Sequence, residues 1–197
     1  MPRALTEQEK CRLCRRLLEK GMEYILLYGI KKVSVDDITK AAGMAKGSFY
    51  HHFESKEKFL YELILLIRKH VFSHAEKTAC GGDDLKENVR AFLTNLFHMR
   101  EMVFFLKNCS DINELFNSIA EDKESQIDTD MFEKLLALAG IDTKKIKPGV
   151  AHNYMHTLFM IMECDLMAEE DLPQTFDLIM DSFISYIFSA EASGKGA

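Results

Sequence analysis

The chain has 197 residues, 47% of them apolar and 28% charged, which is enough to bury a core and excludes a disordered or fibrous polymer. Only 3 prolines and 10 glycines interrupt it, while residues that lose little rotamer freedom in a helix are frequent, so an all-α protein is expected. The net charge of −6 is unevenly divided: residues 1–60 hold 12 Lys+Arg against 8 Asp+Glu, and the remainder holds 13 against 23. A small basic head on an acidic body is the pattern expected when one end meets a polyanion.

The stretch free of Asp, Glu, Lys and Arg from Pro148 to Met162 is too short for a bilayer span, and charges break every apolar run near the amino terminus. A cytoplasmic protein is expected. In a reducing compartment the five cysteines read as small buried hydrophobes, and Cys11-x-x-Cys14, with no second pair or histidine nearby in sequence, reads as part of a helical face.

In chain order, Thr6 and Glu9 have capping-box spacing and open a first helix with Leu13, Cys14, Leu17, Leu18, Ile25 and Tyr28 inward, ended by Gly29. Ser34 and Asp37 repeat the device for a short second helix with Ile38, Ala41 and Ala42 on one face, stopped at Gly43. A third short helix is expected from Ala45 to Phe53, and Ser55 caps a long fourth with Phe59, Leu60, Leu63, Ile64, Ile67 and Val71 buried. Gly81-Gly82 breaks the chain. Asp84 and Glu87 then open a helix carrying Leu85, Val89, Phe92, Leu93, Leu96 and Phe97.

Helical stretches follow around Val103–Leu106 and from Asp111 to about residue 120, then a polar surface run, EDKESQ, and a helix over Met131–Ala139 closed by Gly140. Asp142–Lys147 reads as a basic connection. Two long helices, from Pro148 to Met167 and from Pro173 to about Ala190, finish the fold before a disordered tail at 191–197. The stripe of Phe176, Ile179, Met180, Phe183, Ile184, Ile187 and Phe188 is broad enough to pack on its own domain and on a second subunit.

Residues 34–56 carry the functional signal. Two short helices joined by a glycine turn have the outline of a helix-turn-helix, whose second helix enters a DNA major groove. Gly43 takes the positive φ of the turn, and Ile38, Ala42, Phe49 and Phe53 pack the helices on the first one. Gly47, Ser48 and His51 are left facing outward, flanked by Lys46 and Tyr50. Glycine permits close backbone approach, lysine reaches a guanine edge or phosphate, and the other side chains hydrogen-bond to phosphates or bases. Ser34 and Lys56 stand at two helix starts, whose amides favour a phosphate.

This segment closely resembles the TetR family of transcription regulators, in Gly29, Ser34-Val35-Asp36-Asp37-Ile38, Ala42-Gly43, Lys46-Gly47-Ser48-Phe49-Tyr50-His51-His52-Phe53 and Ser55-Lys56-Glu57. The resemblance covers about the first 70 residues. It implies DNA contacts by Ser34, Lys46, Gly47, Ser48, Tyr50, His51 and Lys56, with Phe49 and Phe53 holding the motif together. Met44-Ala45 stands where the family commonly has Val-Ser, and alanine cannot cap the recognition helix, a loss of roughly 1 kcal/mol.

The resemblance further implies a three-helix DNA-binding domain at 1–57, a linking helix at about 55–78, and a helical effector-binding and dimerisation domain at 58–190. The expected protein is a repressor that binds a palindromic operator as a homodimer through its last two helices, and that a small, largely apolar effector releases. Two-fold symmetry sets the recognition helices about 34 Å apart or a small multiple of that. Phe97, Met102, Phe105, Phe116, Met155, Phe159 and Met162 are the expected pocket residues, thioether and aromatic groups being pliable linings.

No enzyme, cofactor or metal is expected: there is no nucleophile–base pair, phosphate loop or complete metal signature. His152 and His156 have a metal-binding spacing, but Asn153 stands where a zinc hydrolase of the HExxH type carries its glutamate, and a core or interface role is preferred over a regulatory metal site. The alternative function is a helical small-molecule-binding or metal-sensing module without operator binding.

Overall fold

The structure is a computed structural model that describes residues 6–79, 84–119, 127–162 and 169–192. Gly81-Gly82, the EDKESQ run, residues 163–167 of the expected long helix and the tail from 193 lie outside the described residues. Among the described residues the regular structure is all helical: α1 (Glu7–Tyr28), α2 (Val35–Ala41), α3 (Lys46–Tyr50), α4 (Lys56–Thr78), α5 (Leu85–Phe97), α6 (Arg100–Ile119), α7 (Ile127–Leu138), α8 (Pro148–Met162) and α9 (Leu172–Ala192), with 3-10 turns at Thr143–Lys145 and Glu169–Asp171. The chain divides into two compact units, one formed by Met1–His70 with Lys107–Ser125, the other by Val71–Leu106 with Gln126–Ala197.

In the first unit the Thr6–Glu9 capping box is complete: the Glu9 amide donates to Thr6 Oγ1 at 3.3 Å and the Thr6 amide donates to Glu9 Oε2 at 2.7 Å. Leu17 and Ile25 of α1 are fully buried, along with Ile38 of α2 and Phe59, Leu63, Ile64 and Ile67 of α4. Leu13, Cys14 and Leu18 are half-buried. Tyr28 corrects the expectation of an inward face through the last turn: its ring lies tilted against Tyr24 at 5.5 Å and is 52% exposed. Cys11 is likewise exposed rather than a core hydrophobe. Burial, with Glu62 nearby, pushes the Cys14 thiol up.

α6 holds the two expected helical stretches, joined across a kink at Asn108, where φ −117° and ψ 15° leave the helical region. Its second half belongs to the first unit. There Lys31 Nζ lies 2.8 Å from Asp111 Oδ1, Tyr61 meets Phe116 at 4.6 Å, and Ile112 is fully buried.

The second unit is built on α5, α8 and α9. Val89, Phe92, Leu93, Leu96 and Phe97 form the buried face of α5, whereas Leu85, just inside the Asp84 cap, is 42% exposed. α9 packs on α8 and α5, and α8 on α7. Arg90 of α5 ties α9 down through Asp177 Oδ1 at 2.8 Å and through Asp181. Ile146 is buried beside the 3-10 turn, so the Asp142–Lys147 connection is anchored as well as solvated. Of the broad α9 stripe, Met180, Phe183, Ile184 and Ile187 are buried, and Phe176, Ile179 and Phe188 are half-buried.

Candidate nucleic-acid interface

Ser34 starts α2 in extended backbone. Its hydroxyl accepts from the Asp37 amide at 3.2 Å and donates to Asp37 Oδ2 at 2.5 Å, so one residue caps the helix and orients the carboxylate of its first turn. Thr39, although buried, is satisfied by donating to the Val35 carbonyl at 2.8 Å. The chain leaves α2 through Gly43, whose φ of 64° is the left-handed conformation that glycine adopts without a Cβ penalty.

The expected third helix is shorter than its sequence suggests, Lys46–Tyr50, with residues 51–52 in a turn. Ala45 occupies the cap position and supplies no side-chain hydrogen bond. Five residues without a cap cannot sustain a helix alone, so packing must hold it. Phe49 does this: it is fully buried and its ring meets Phe59 at 5.1 Å and 67° and Phe53 at 5.4 Å, while Phe53 meets Phe59 at 4.7 Å and 74°. These tilted and edge-to-face contacts add to burial and fix the rotation of α3 about its axis.

With Phe49 inward, the opposite face is fixed. Lys46, Gly47 and His51 are exposed, Tyr50 is 50% exposed against the edge of Phe49, and Ser48 is half-buried. A Cβ placed on Gly47 would meet nothing within 4 Å, so this side of α3 is open. Lys56 is the first residue of α4, whose start is capped by Ser55 Oγ accepting from the Lys58 amide at 3.1 Å. The fold therefore sets Ser34, Lys46, Gly47, Ser48, Tyr50, His51 and Lys56 on α2, α3 and the first turn of α4. Spacing had not singled out the partner of Lys46: its Nζ lies 3.0 Å from Asp36 Oδ1 and 3.1 Å from Oδ2. The only signal was a carboxylate ten residues away across the glycine turn. Hydrogen bonding and charge from Asp36 hold the Lys46 ammonium above its ordinary value.

The expected effector-pocket residues have a different setting. Phe97, Met102, Phe105 and Met155 are at most 1% exposed and Phe159 is 7% exposed, all in the second unit, whereas Met162 is 40% exposed and Phe116 belongs to the first unit. Two clefts in the second unit are lined by other residues: one by Phe132, Leu136, Ile146 and His152 among others, the other by Val150, Tyr154, Thr157 and Ile179 among others. The His152 and His156 rings lie 4.3 Å apart, and among the described residues no group of three or more His, Cys, Asp or Glu is placed to hold a metal. No helix among the described residues is long and apolar enough to cross a membrane.

A three-helix head with an open third helix, followed among the described residues by helices alone, has the outline of a helix-turn-helix protein. Residues 17–63 match the family described as bacterial regulatory proteins, tetR family. It is 53% identical over 45 residues to the HTH-type transcriptional repressor DhaR of Mycobacterium sp. (strain GP1), covering 23% of each chain. It is 32% identical over 69 residues to the HTH-type transcriptional repressor KstR2 of Rhodococcus jostii (strain RHA1), covering 35% of this chain and 34% of that one. The similarity to these curated relatives thus spans about a quarter to a third of their length. A crystal structure of a transcriptional regulator from Aquifex aeolicus VF5 shares the fold over 86% of this chain and 96% of its own, with a TM-score of 0.52 and 24% identity.

Proposed function

We propose that the chain is a transcriptional repressor that binds a palindromic operator as a homodimer and is released by a small, largely apolar effector. The observation that carries this reading is the ring-anchored α3, whose open face holds Lys46, Gly47, Tyr50 and His51 with Ser48 beside them. Lys46, Tyr50 and His51 offer donors to base edges and phosphates, Gly47 admits the duplex backbone, and Ser34 and Lys56 contact flanking phosphates. The repressor names of the relatives support the sign of regulation.

Residues 1–57 are the DNA-binding domain in this reading, and 58–190 serve effector binding and dimerisation through α8 and α9. Met160 on α8 is 62% exposed and Leu178 on α9 is 63% exposed, large apolar groups that a second copy would cover. The effector would have to open space beside Phe97, Met102, Phe105, Met155 and Phe159, which are buried, and it must bind the released conformation more tightly by a few kcal/mol.

The test is duplex binding against salt. The wild-type protein should bind duplex DNA with an affinity that falls steeply as salt rises, and Lys46→Ala should weaken binding and flatten the slope by about 0.9 for each phosphate no longer neutralised. No measurable affinity at low salt favours the helical sensor module instead.

A further inference from the structure

The segment from Ser34 to Lys56 carries three lysines, Lys40, Lys46 and Lys56, and three carboxylates, Asp36, Asp37 and Glu54, so its formal charge is zero with histidines neutral. The positive balance of the head therefore lies outside the motif that reads DNA. Lys46 is the only Lys or Arg between Lys40 and Lys56, and its ammonium is closed onto both oxygens of Asp36, at 3.0 and 3.1 Å.

The three carboxylates do not share one duty. Asp37 is held by the Ser34 hydroxyl and completes the start of α2, while Asp36, one residue earlier, reaches across the turn to α3. Capping does not require Asp36, since the Ser34 hydroxyl already serves the Asp37 amide. Both members of the pair are more than half exposed, 55% for Lys46 and 67% for Asp36, so the bridge stands on the face that would meet the duplex.

We propose that Asp36 is a specificity-determining counter-charge, a latch that keeps Lys46 neutralised until the recognition helix is seated on its own site. This inference rests on the DNA-binding reading above. Phosphate contacts carry no sequence information, and a free lysine on the recognition helix strengthens binding to every duplex alike. With Asp36 in place, a phosphate approaching α3 meets an ammonium already paired and a carboxylate beside it. Lys46 then gains only where its new partner offsets the broken bridge, which is where the rest of the helix fits. Selectivity is a difference of two affinities, and lowering the general one raises it.

The experiment uses the full chain, with a mixed-sequence duplex as general probe and a duplex enriched by in vitro selection on the wild-type protein as specific probe, titrated from ~50 to ~200 mM salt. Asp36→Asn should raise general affinity by about two- to fivefold per protomer, the scale of an exposed pair. It should also steepen the salt slope by about 0.9 per protomer, one more phosphate being engaged. Affinity for the selected duplex rises less, so the ratio of specific to general binding falls, and Asp36→Ala behaves alike. In a Lys46→Ala background Asp36→Asn should leave the salt slope unchanged, since no lysine is freed, and any gain should be only the relief of the carboxylate's own repulsion.

Wild-type binding with no change in Asp36→Asn overturns the latch, and so does an equal gain with an equally steepened slope in the absence of Lys46, because the effect would then not pass through that lysine. If the wild type binds neither duplex at low salt, the DNA-binding reading itself fails and the latch falls with it.

Discussion

Phe59 occupies the space that a side chain on Gly21 would need: a Cβ on Gly21 would collide with the Phe59 ring and lie 2.8 Å from Leu63 Cδ1. α1 and α4 meet at this point, and both obstructing groups are themselves fully buried. Gly21→Ala gains about 1 kcal/mol in helix propensity. It loses about 1–3 kcal/mol to overpacking, which the rigid ring places toward the upper end. Urea unfolding should show a net loss of stability, and an unchanged or raised midpoint would mean that α1 can slide on α4.

Gly47 gives the opposite outcome. Its Cβ position is open, so Gly47→Ala should stabilise the free protein by up to about 1 kcal/mol through helix propensity. The same methyl stands where the proposed duplex backbone approaches. Duplex affinity measured by fluorescence anisotropy should fall while the melting temperature rises. A variant that gained stability and kept full affinity would remove Gly47 from the interface.

Gly29 closes α1 with φ 79° and ψ 172°, a combination that side-chain-bearing residues rarely adopt, and its Cβ would stand 3.0 Å from Asn108 Oδ1. Gly29→Ala should cost about 1–3 kcal/mol in thermal or urea unfolding. Gly43→Asn should be milder, because asparagine visits the left-handed region more readily and only the end of Arg16 lies nearby, 3.5 Å from the Cβ site.

Glu9 links pH to the start of α1. The Thr6 amide and hydroxyl donate to its carboxylate and hold it below the ordinary carboxyl range. A lowered carboxyl contributes stability that is present above its unfolded value and lost as pH falls through the lowered one. The protection factor of the Thr6 amide, its rate relative to the unstructured chain at the same pH, should therefore fall on acidification through that window, and this fall should vanish in Glu9→Gln. Equal pH dependence in both proteins would sink the assignment.

The proposed dimer predicts a particle of twice the 22.6 kDa chain mass. Leu178→Glu with Met160→Glu should shift it to the single mass in light scattering, since a buried unpaired charge opposes association. Dimers that survive both changes would place the contact elsewhere.

Local chemistry made most of the fold legible. The Thr6, Ser34, Ser55 and Asp84 caps are formed as the spacing predicts, and the buried faces of α4 and α5 follow their 3.6-residue period almost throughout. Periodicity failed where it met an end: Tyr28 and Leu85, in a last and a first turn, are exposed. The two helical stretches either side of Asn108 were legible too, because the kink there interrupts the apolar pattern as it interrupts the helix. The outward face of α3 followed once Phe49 was placed inward. The Asp36–Lys46 bridge could not, since it depends on how tightly the Gly43 turn folds α3 back on α2.

α3 owes its place to Phe49, with no cap and little internal hydrogen bonding of its own. Gly47, Ser48 and His51 are thereby relieved of structural duty, and exchanging them alters what the helix can recognise without asking the scaffold to refold. A domain arranged in this way lends itself to reprogramming: new operator preferences can be sought by varying those three positions while the aromatic anchor is left alone.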